Sequence, residues 1–207
     1  MLRSIGSLIG RVVQALDGQL GSVSNFFFHD QRWVIRYVVA ETGNWLPGRQ
    51  VYIAHRKLGM PQGGSPVFPV LSGRKAIEKN AVSLGPGELA ALSHRNHLRS
   101  SQQVVGLTVL GIGGPLGTVS DLIADDRSWR IRYLVADTGD QRTGKSVLLA
   151  TDWIRAIDWS KRTVDVDLTP EAVAASPTYR PGQPLSRKDE VQLYTYHRRP
   201  TYWSAPS

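Results

Sequence analysis

The chain has 207 residues, of which 41% are hydrophobic and none is cysteine. This composition is ordinary for a globular protein, and the lack of cysteine excludes disulfides and thiolate metal sites. No apolar run reaches the ~18 residues of a membrane helix, and the N-terminal MLRSIGSLIGRVV lacks the features of a signal peptide, so we expect a cytoplasmic protein.

Charge is spread unevenly along the chain, which has a net charge of +8. Residues 1–100 contain 12 Lys and Arg against 5 Asp and Glu, and residues 101–207 contain 13 against 12. The basic first half favours an anionic partner such as RNA, an acidic protein or an anionic membrane surface. Solubility alone is the simpler explanation, because no compact run of Lys and Arg is present.

Short strands and tight turns are predicted from the start of the chain. Asp17-Gly18 separates two strand-like runs and is typical of a hairpin turn, and Gly113-Gly114 occupies the corresponding place later in the sequence. Further short strands are predicted over residues 145–150, 154–159 and 163–168. Five or six short strands with tight turns indicate a small barrel.

A repeat sets the domain organisation. Shifting the sequence by 96 residues aligns residues 10–54 with residues 106–150 without a gap, and 19 of the 45 pairs are identical. Two copies and a long connection indicate tandem domains rather than a solenoid. We expect a first unit over residues 1–84, a linker over 85–101, a second unit over 102–180 and a C-terminal helix and tail over 181–207.

The most regular strand of each copy has the pattern Trp-x-Ile-Arg-Tyr. Its alternation predicts that Trp, Ile and Tyr point into the barrel, while Arg36 and Arg132 lie on the outer face. In the first copy this outer face would also carry Val34, Val38 and Ala40, so it needs a cover. We expect the two units or two chains to pack there, with each arginine paired to a carboxylate; an arginine stem lying across the barrel with its head in water is the alternative.

Helices are predicted late in the chain. Thr169-Pro170-Glu171 opens a short helix, and Ser186 with Asp189 resembles a capping box at the start of a second one. The tail that follows, YTYHRRPTYW, mixes aromatic and basic residues. It suits either a partner or the chain's own barrel, and we favour the barrel because the preceding helix needs an apolar surface to cover. Its candidate interface residues are Tyr196, Arg198, Arg199 and Trp203.

Together these motifs resemble the PRC-barrel family. They are Asp/Gly-Gly-x-Leu-Gly-x-Val, then Trp-x-Ile-Arg-Tyr-x-Val-x-Asp/Glu-Thr-Gly, in both copies. The family includes the cytoplasmic part of the photosynthetic reaction-centre H subunit and the C-terminal part of the ribosome maturation factor. The resemblance implies an all-β fold of two tandem small barrels, with short helices in the linker and tail, used for binding in a bacterial cell. The first copy departs from the pattern after Ala54, so how its last strands close is not predicted.

The sequence also contains Asp137-Thr138-Gly139 at a strand end, as in the catalytic loop of an aspartic protease. A dyad needs two equivalent short carboxylates that share a proton, and the matching residue Glu41 is one methylene longer. We therefore interpret both acidic residues as strand ends, with Gly43 and Gly139 in turn conformations.

We predict a non-catalytic protein-interaction or scaffold module with no cofactor, metal site or catalytic residues. Its partner would be another protein or a second copy of the chain. An RNA- or ribosome-associated assembly factor and a peripheral partner of a membrane complex are the alternatives.

Overall fold

The computed structural model describes residues 1–43, 50–62, 64–79, 97–139 and 145–204. Its contacts divide the chain into two compact units. The first unit comprises residues 1, 5–103 and 125–131, and the second comprises residues 2–4, 104–124 and 132–207. The predicted unit boundary at 84/85 and most of the predicted linker lie outside the described residues.

The described part of the chain is rich in short strands, which confirms the predicted fold class. The first unit contains β2 (Val12–Ala15), β3 (Gly18–His29), β4 (Val34–Glu41), β5 (Gln50–Ala54), β6 (Val67–Pro69) and β7 (Leu98–Ser100). Within it, β3 pairs with β2, β4 and β7, β4 pairs with β5, and β2 pairs in parallel with β6.

The second unit repeats this arrangement and extends it. Its strands are β1 (Leu2–Ser4), β8 (Thr108–Gly111), β9 (Gly114–Asp125), β10 (Arg130–Asp137, in this unit from Arg132 onwards), β11 (Ser146–Ala150), β12 (Ile154–Asp158), β13 (Thr163–Val166) and β14 (Thr178–Tyr179). Strand β9 pairs with β1, β8 and β10, β11 joins β10 to β14, and β8 pairs in parallel with β13.

Helical segments are short. They are α1 (Arg74–Lys79), α2 (Ser101–Val104), α3 (Pro170–Ala174) and α4 (Arg187–Tyr196), with 3-10 turns at Gly6–Leu8, His55–Lys57 and Thr151–Trp153. The predicted caps are confirmed: Thr169 accepts a bond from the Ala172 amide, and Ser186 and Asp189 form a capping box. No helix in the described residues is long and apolar enough to cross a membrane.

The first unit closes in the same way as the second, although its sequence there has no visible match. Val12 pairs with Val67 as Thr108 pairs with Thr163, and the bridge between Leu58 and Val70 corresponds to the pair Ile154 and Val166. Each first-unit number plus 96 gives its second-unit counterpart. The repeat therefore continues past Ala54 in the backbone, because strand pairing constrains hydrogen bonds and burial more than residue identity.

The repeat also begins earlier than the aligned blocks. The tripeptide Leu-Arg-Ser occurs at Leu2–Ser4 and again, 96 residues later, at Leu98–Ser100, and both copies are strands. In the second unit β1 pairs with β9, and in the first unit β7 pairs with β3. Residues 98–100, which we expected to belong to the linker, are thus part of the first unit's sheet.

One β-bulge overturns the predicted side-chain orientation in β4. Phe28 pairs with Ile35 but Phe27 pairs with Tyr37, so Arg36 has no opposite residue. An extra residue shifts the side-chain alternation by one, and every later residue of the strand changes face. Val38 and Ala40 therefore lie in the core, both with 0% exposure, and the prediction that they lie on the outer face is wrong.

Two matched glycines keep the hairpin strands close together. A Cβ atom on Gly21 would lie 1.8 Å from the Glu41 carbonyl oxygen, and one on Gly117 would lie 2.0 Å from the Asp137 carbonyl oxygen. Both glycines also have a φ that other residues rarely adopt, +146° and +138°. The backbone of the Glu/Asp-Thr-Gly segment is thus packed against its own hairpin.

Candidate binding site on the tyrosine faces

The first unit has a second apolar cluster on the side of the sheet opposite its core. Phe27, Val39 and Tyr52 form this cluster, and the partly buried Tyr37 packs against it. Phe27 is opposite Tyr37, and Val39 is opposite Tyr52, in neighbouring strands. Residues directly opposite in a sheet share a face, so these four side chains define one surface, here named the tyrosine face.

The corresponding face of the second unit carries Ile123, Tyr133, Val135 and Leu148, and the chain's own tail covers it. Helix α4 buries Glu190, Leu193 and Tyr194, each 2% exposed, and Tyr133 is 0% exposed. The tail therefore folds back onto its own unit, as the sequence led us to expect.

A buried carboxylate joins the tail to this face. Glu190 accepts hydrogen bonds from the hydroxyls of Tyr133, at 2.7 Å, and Tyr202, at 2.9 Å, and forms an ion pair with Arg187 at 2.9 Å. Burial raises the pKa of the Tyr133 hydroxyl well above its ordinary value, and Tyr194 and Glu190 add to the effect. At neutral pH the Tyr133 hydroxyl is therefore protonated and donates to Glu190.

Aromatic rings fill the rest of this contact. Tyr194 lies 5.4 Å from Trp153, and His197 lies 4.9 Å from the same indole, between ring centroids. The Arg132 guanidinium carbon lies 3.8 Å from the centre of the Tyr202 ring, which is a close cation–π contact. Arg132 thus has an aromatic partner in the tail, and, contrary to our expectation, none of the ion pairs between described residues joins it to a carboxylate.

In the first unit, a cavity of about 200 Å³ opens beside the tyrosine face. We call it the basic pocket; it is lined by Tyr37, Tyr52, Ile53, Ala54, Arg56, Lys57 and Ile77. Adding 96 to these numbers gives a second-unit set that includes Tyr133, Trp153 and Val173. In the second unit Tyr133 and Trp153 contact the Tyr194 ring.

The two positions differ in charge. Arg56 and Lys57 follow β5 in the first unit, where the second unit has Asp152 and Trp153. No acidic residue lines the basic pocket, and among the described residues neither cation has an ion-pair partner. Burial raises the pKa of the Tyr52 hydroxyl.

The residues predicted for an interface lie in several environments. Val34 is half-buried and pairs with His29, while Arg36 is the half-buried bulge residue. In the tail, Tyr196 donates to the Ala172 carbonyl and Arg199 binds Asp167 at 2.7 Å. Arg198 is exposed, and Trp203 is 36% exposed with the Arg187 guanidinium 4.0 Å from its ring centre. Val38 is a core residue.

Sequence reasoning missed the residues that form these contacts. Tyr37 and Tyr133 were assigned to the core, and Glu190, Arg56 and Lys57 were not singled out. The alignment of the two copies at a shift of 96 residues contains one usable signal, because it matches Arg56 and Lys57 with Asp152 and Trp153. The two copies therefore present side chains of different charge at this position.

The acidic residues at the two strand ends lie opposite residues of the neighbouring strands. Asp137 accepts a 2.7 Å bond from the Ser146 hydroxyl, its cross-strand neighbour, and Glu41 pairs with Gln50 at the end of β4. In the described part of the chain, no three His, Cys, Asp or Glu side chains form a group that could hold a metal ion.

The fold defined by these observations is an all-β pair of small units with an added C-terminal helix. No protein-family model matches the chain, and no curated protein matches it. Among solved structures, the chain is similar to a putative 16S ribosomal RNA processing protein, RimM, from Pseudomonas aeruginosa. The identity is 17% and the TM-score 0.29, over 83% of this chain and 99% of that one.

Proposed function

We propose that this chain is a binding module whose tyrosine faces receive segments of protein, rather than an enzyme. One observation carries the proposal: the tyrosine face of the second unit already holds such a segment. Helix α4 buries the Glu190 carboxylate and the Tyr194 ring there, with hydroxyl groups of the sheet and the tail as donors to the carboxylate. The resemblance of the repeat motifs to PRC-barrel proteins agrees with a binding role.

The test is affinity capture with the full-length chain from native lysate, with and without nuclease. We expect specific proteins to be retained after nuclease treatment, and to be lost when unlabelled full-length chain is added as competitor. If nuclease removes every specific partner, the protein-binding proposal is contradicted.

An RNA- or ribosome-associated role is the second candidate, favoured by the +7 difference between basic and acidic residues in residues 1–100. Arginine and tyrosine side chains of the kind found in the basic pocket also suit stacking on bases and contact with phosphates. Binding of RNA should weaken steeply with added salt, because counterions are released from the phosphates. A labelled RNA titrated at two salt concentrations measures this directly.

A peripheral role at an anionic membrane would rest on the same charge and predicts retention on vesicles that contain phosphatidylserine. Formation of a homodimer predicts twice the monomer mass in light scattering. Both readouts can be taken on the material purified for the capture experiment.

A further inference from the structure

We infer that the basic pocket of the first unit binds a helical segment of a partner protein that presents a carboxylate and an aromatic ring. This inference rests on the proposed function and specifies its site and its ligand chemistry. Three observations support it: the contact that the second unit makes, the change of charge between the units, and the Tyr37 hydroxyl, from which no described residue accepts a hydrogen bond.

The first observation is the contact seen in the second unit. Glu190 and Tyr194 lie one helical turn apart in α4, so they project from the same side of the helix. The carboxylate meets the Tyr133 hydroxyl, and the ring meets Trp153. Since Tyr37 and Lys57 occupy the corresponding positions in the first unit, a segment with the same spacing would bring its carboxylate to Tyr37 and its ring to the pocket.

The second observation is the change of charge. Arg56 is exposed and Lys57 is half-buried, and the pocket lining contains no acid. A ligand with further carboxylates beside the first would therefore gain favourable electrostatic contacts, whereas the tail's own basic residues would be repelled. The chain's tail carries Arg187, Lys188, Arg198 and Arg199. This basic tail fits the second unit. A segment that binds the first unit should carry acidic residues in place of these basic ones.

The third observation is the tyrosine itself. In the second unit the Tyr133 hydroxyl donates to Glu190, but no described residue of the first unit accepts a bond from the Tyr37 hydroxyl. The ring is held by Phe27, Val39 and Tyr52, so the hydroxyl is positioned before any ligand arrives. A preorganised donor beside two cations favours a carboxylate, because charge-assisted hydrogen bonds are the stronger kind.

The test uses two labelled peptides and the full-length chain. The basic peptide has the sequence of residues 186–204, and the acidic peptide is the same sequence with Arg187→Glu, Lys188→Glu, Arg198→Glu and Arg199→Glu. Binding is followed by fluorescence anisotropy. We expect the acidic peptide to bind at least about tenfold more tightly than the basic peptide.

Variants locate the binding site. Tyr37→Phe should weaken binding of the acidic peptide about fivefold, which is the usual net effect of one hydrogen bond. The double variant Arg56→Glu/Lys57→Glu should reverse the preference and favour the basic peptide. Arg32→Glu, a single charge reversal at an exposed position outside the pocket, should leave the preference for the acidic peptide in place. Unchanged circular dichroism and thermal midpoint establish that each variant is folded.

Three results would overturn the inference: no binding of the acidic peptide, equal effects of Arg32→Glu and the pocket variants, or pocket-dependent binding of an RNA oligonucleotide instead of the peptide. The proposed function fails separately, when no protein survives nuclease in the capture experiment. If captured proteins persist equally with Arg56→Glu/Lys57→Glu, the binding role stands and only the pocket assignment is wrong.

Discussion

The two tyrosine faces of this chain have the same strands and different neighbours. In the second unit the face is covered by α4, and Tyr133 is fully buried. In the first unit the matching Tyr37 is only partly buried and lines a cavity with two cations. The two copies thus share a backbone arrangement, while the side chains around one face differ in charge. From this difference we propose a different ligand for the first unit.

The largest expected effect is a loss of stability at the matched hairpin glycines, which both units contain. Gly21→Ala and Gly117→Ala each place a Cβ atom within 2.0 Å of a carbonyl oxygen across the hairpin. Because backbone must move to relieve this overlap, we expect each to destabilise its unit by about 4 kcal/mol or more. Gly114→Ala is the matched control, since its nearest neighbour is 4.0 Å away. Denaturant unfolding followed by circular dichroism measures all three; a mild effect at either hairpin glycine would mean that the two hairpins are not built alike.

The next prediction concerns a matched position at which the two units have different residues. Trp153 is 5% exposed and packs on Tyr194 and His197, whereas the matching Lys57 is half-buried at the pocket. Trp153→Ala should cost about 3 to 5 kcal/mol in the free energy of unfolding of the second unit. Lys57→Ala should change the stability of the first unit by less than about 0.5 kcal/mol. Equal losses at both positions would show that the pocket is an ordinary part of the core.

A smaller effect is expected at the buried carboxylate. Glu190→Gln keeps the shape but removes the charge that accepts from Tyr133 and Tyr202 and pairs with Arg187. We expect a loss of about 1 to 3 kcal/mol in the stability of the second unit, within the range for hydrogen bonds to a charged group. Glu171→Gln, at an exposed site in α3, serves as the control. If the two variants unfold alike, Glu190 does not hold the tail.

The smallest effect concerns pH. Burial lowers the pKa of His197, and Arg199 lowers it further. A histidine with a depressed folded pKa binds protons more readily when unfolded, so its contribution to stability is present above its unfolded pKa of about 6.5 and is lost as pH falls. We expect the second unit, in which His197 is the sole histidine among the described residues, to lose stability from about pH 7 to about pH 5.

His197→Gln should flatten that dependence, as measured by denaturant midpoints at several pH values. An unchanged pH dependence in this variant would assign the effect to other groups. The ring's contacts with Trp153 and with the Ser176 hydroxyl, at 3.0 Å, would then be independent of its protonation.

Much of the fold could be predicted from the sequence, because turns and caps are local. Asp17-Gly18, Gly113-Gly114 and the Ser186 capping box correspond to hairpins and to a helix start in the structure. The side of the sheet on which Tyr37 lies could not be predicted. A bulge depends on how two strands pair, and it does not alter the alternation of apolar and polar residues in the sequence. The closing strand β6 could not be predicted either, since it matches β13 in backbone pairing and not in sequence.

The candidate site was harder to predict than the fold. Glu190 reads as an ordinary exposed helix residue, and only the packing of α4 on Tyr133 makes it a buried acceptor. Arg56 and Lys57 stand out as candidate site residues only when they are compared with Asp152 and Trp153, which occupy the matching positions of the second unit. Such contacts depend on which surfaces meet, and the residues that form them are far apart in the sequence.

Disulfide trapping can show whether the basic pocket receives a protein segment as the second unit receives its own tail, because the chain has no cysteine. The full-length variant Ala54→Cys places one thiol in the pocket lining, and Arg32→Cys places one at an exposed position outside the pocket as control. Each is incubated with the acidic peptide carrying Tyr196→Cys as a mixed disulfide with thiopyridine, so that attack by the protein thiolate joins the peptide and releases pyridine-2-thione. We predict that Ala54→Cys is trapped at least about tenfold faster than the control and that unlabelled acidic peptide competes; equal trapping rates, unaffected by competitor, would contradict the account.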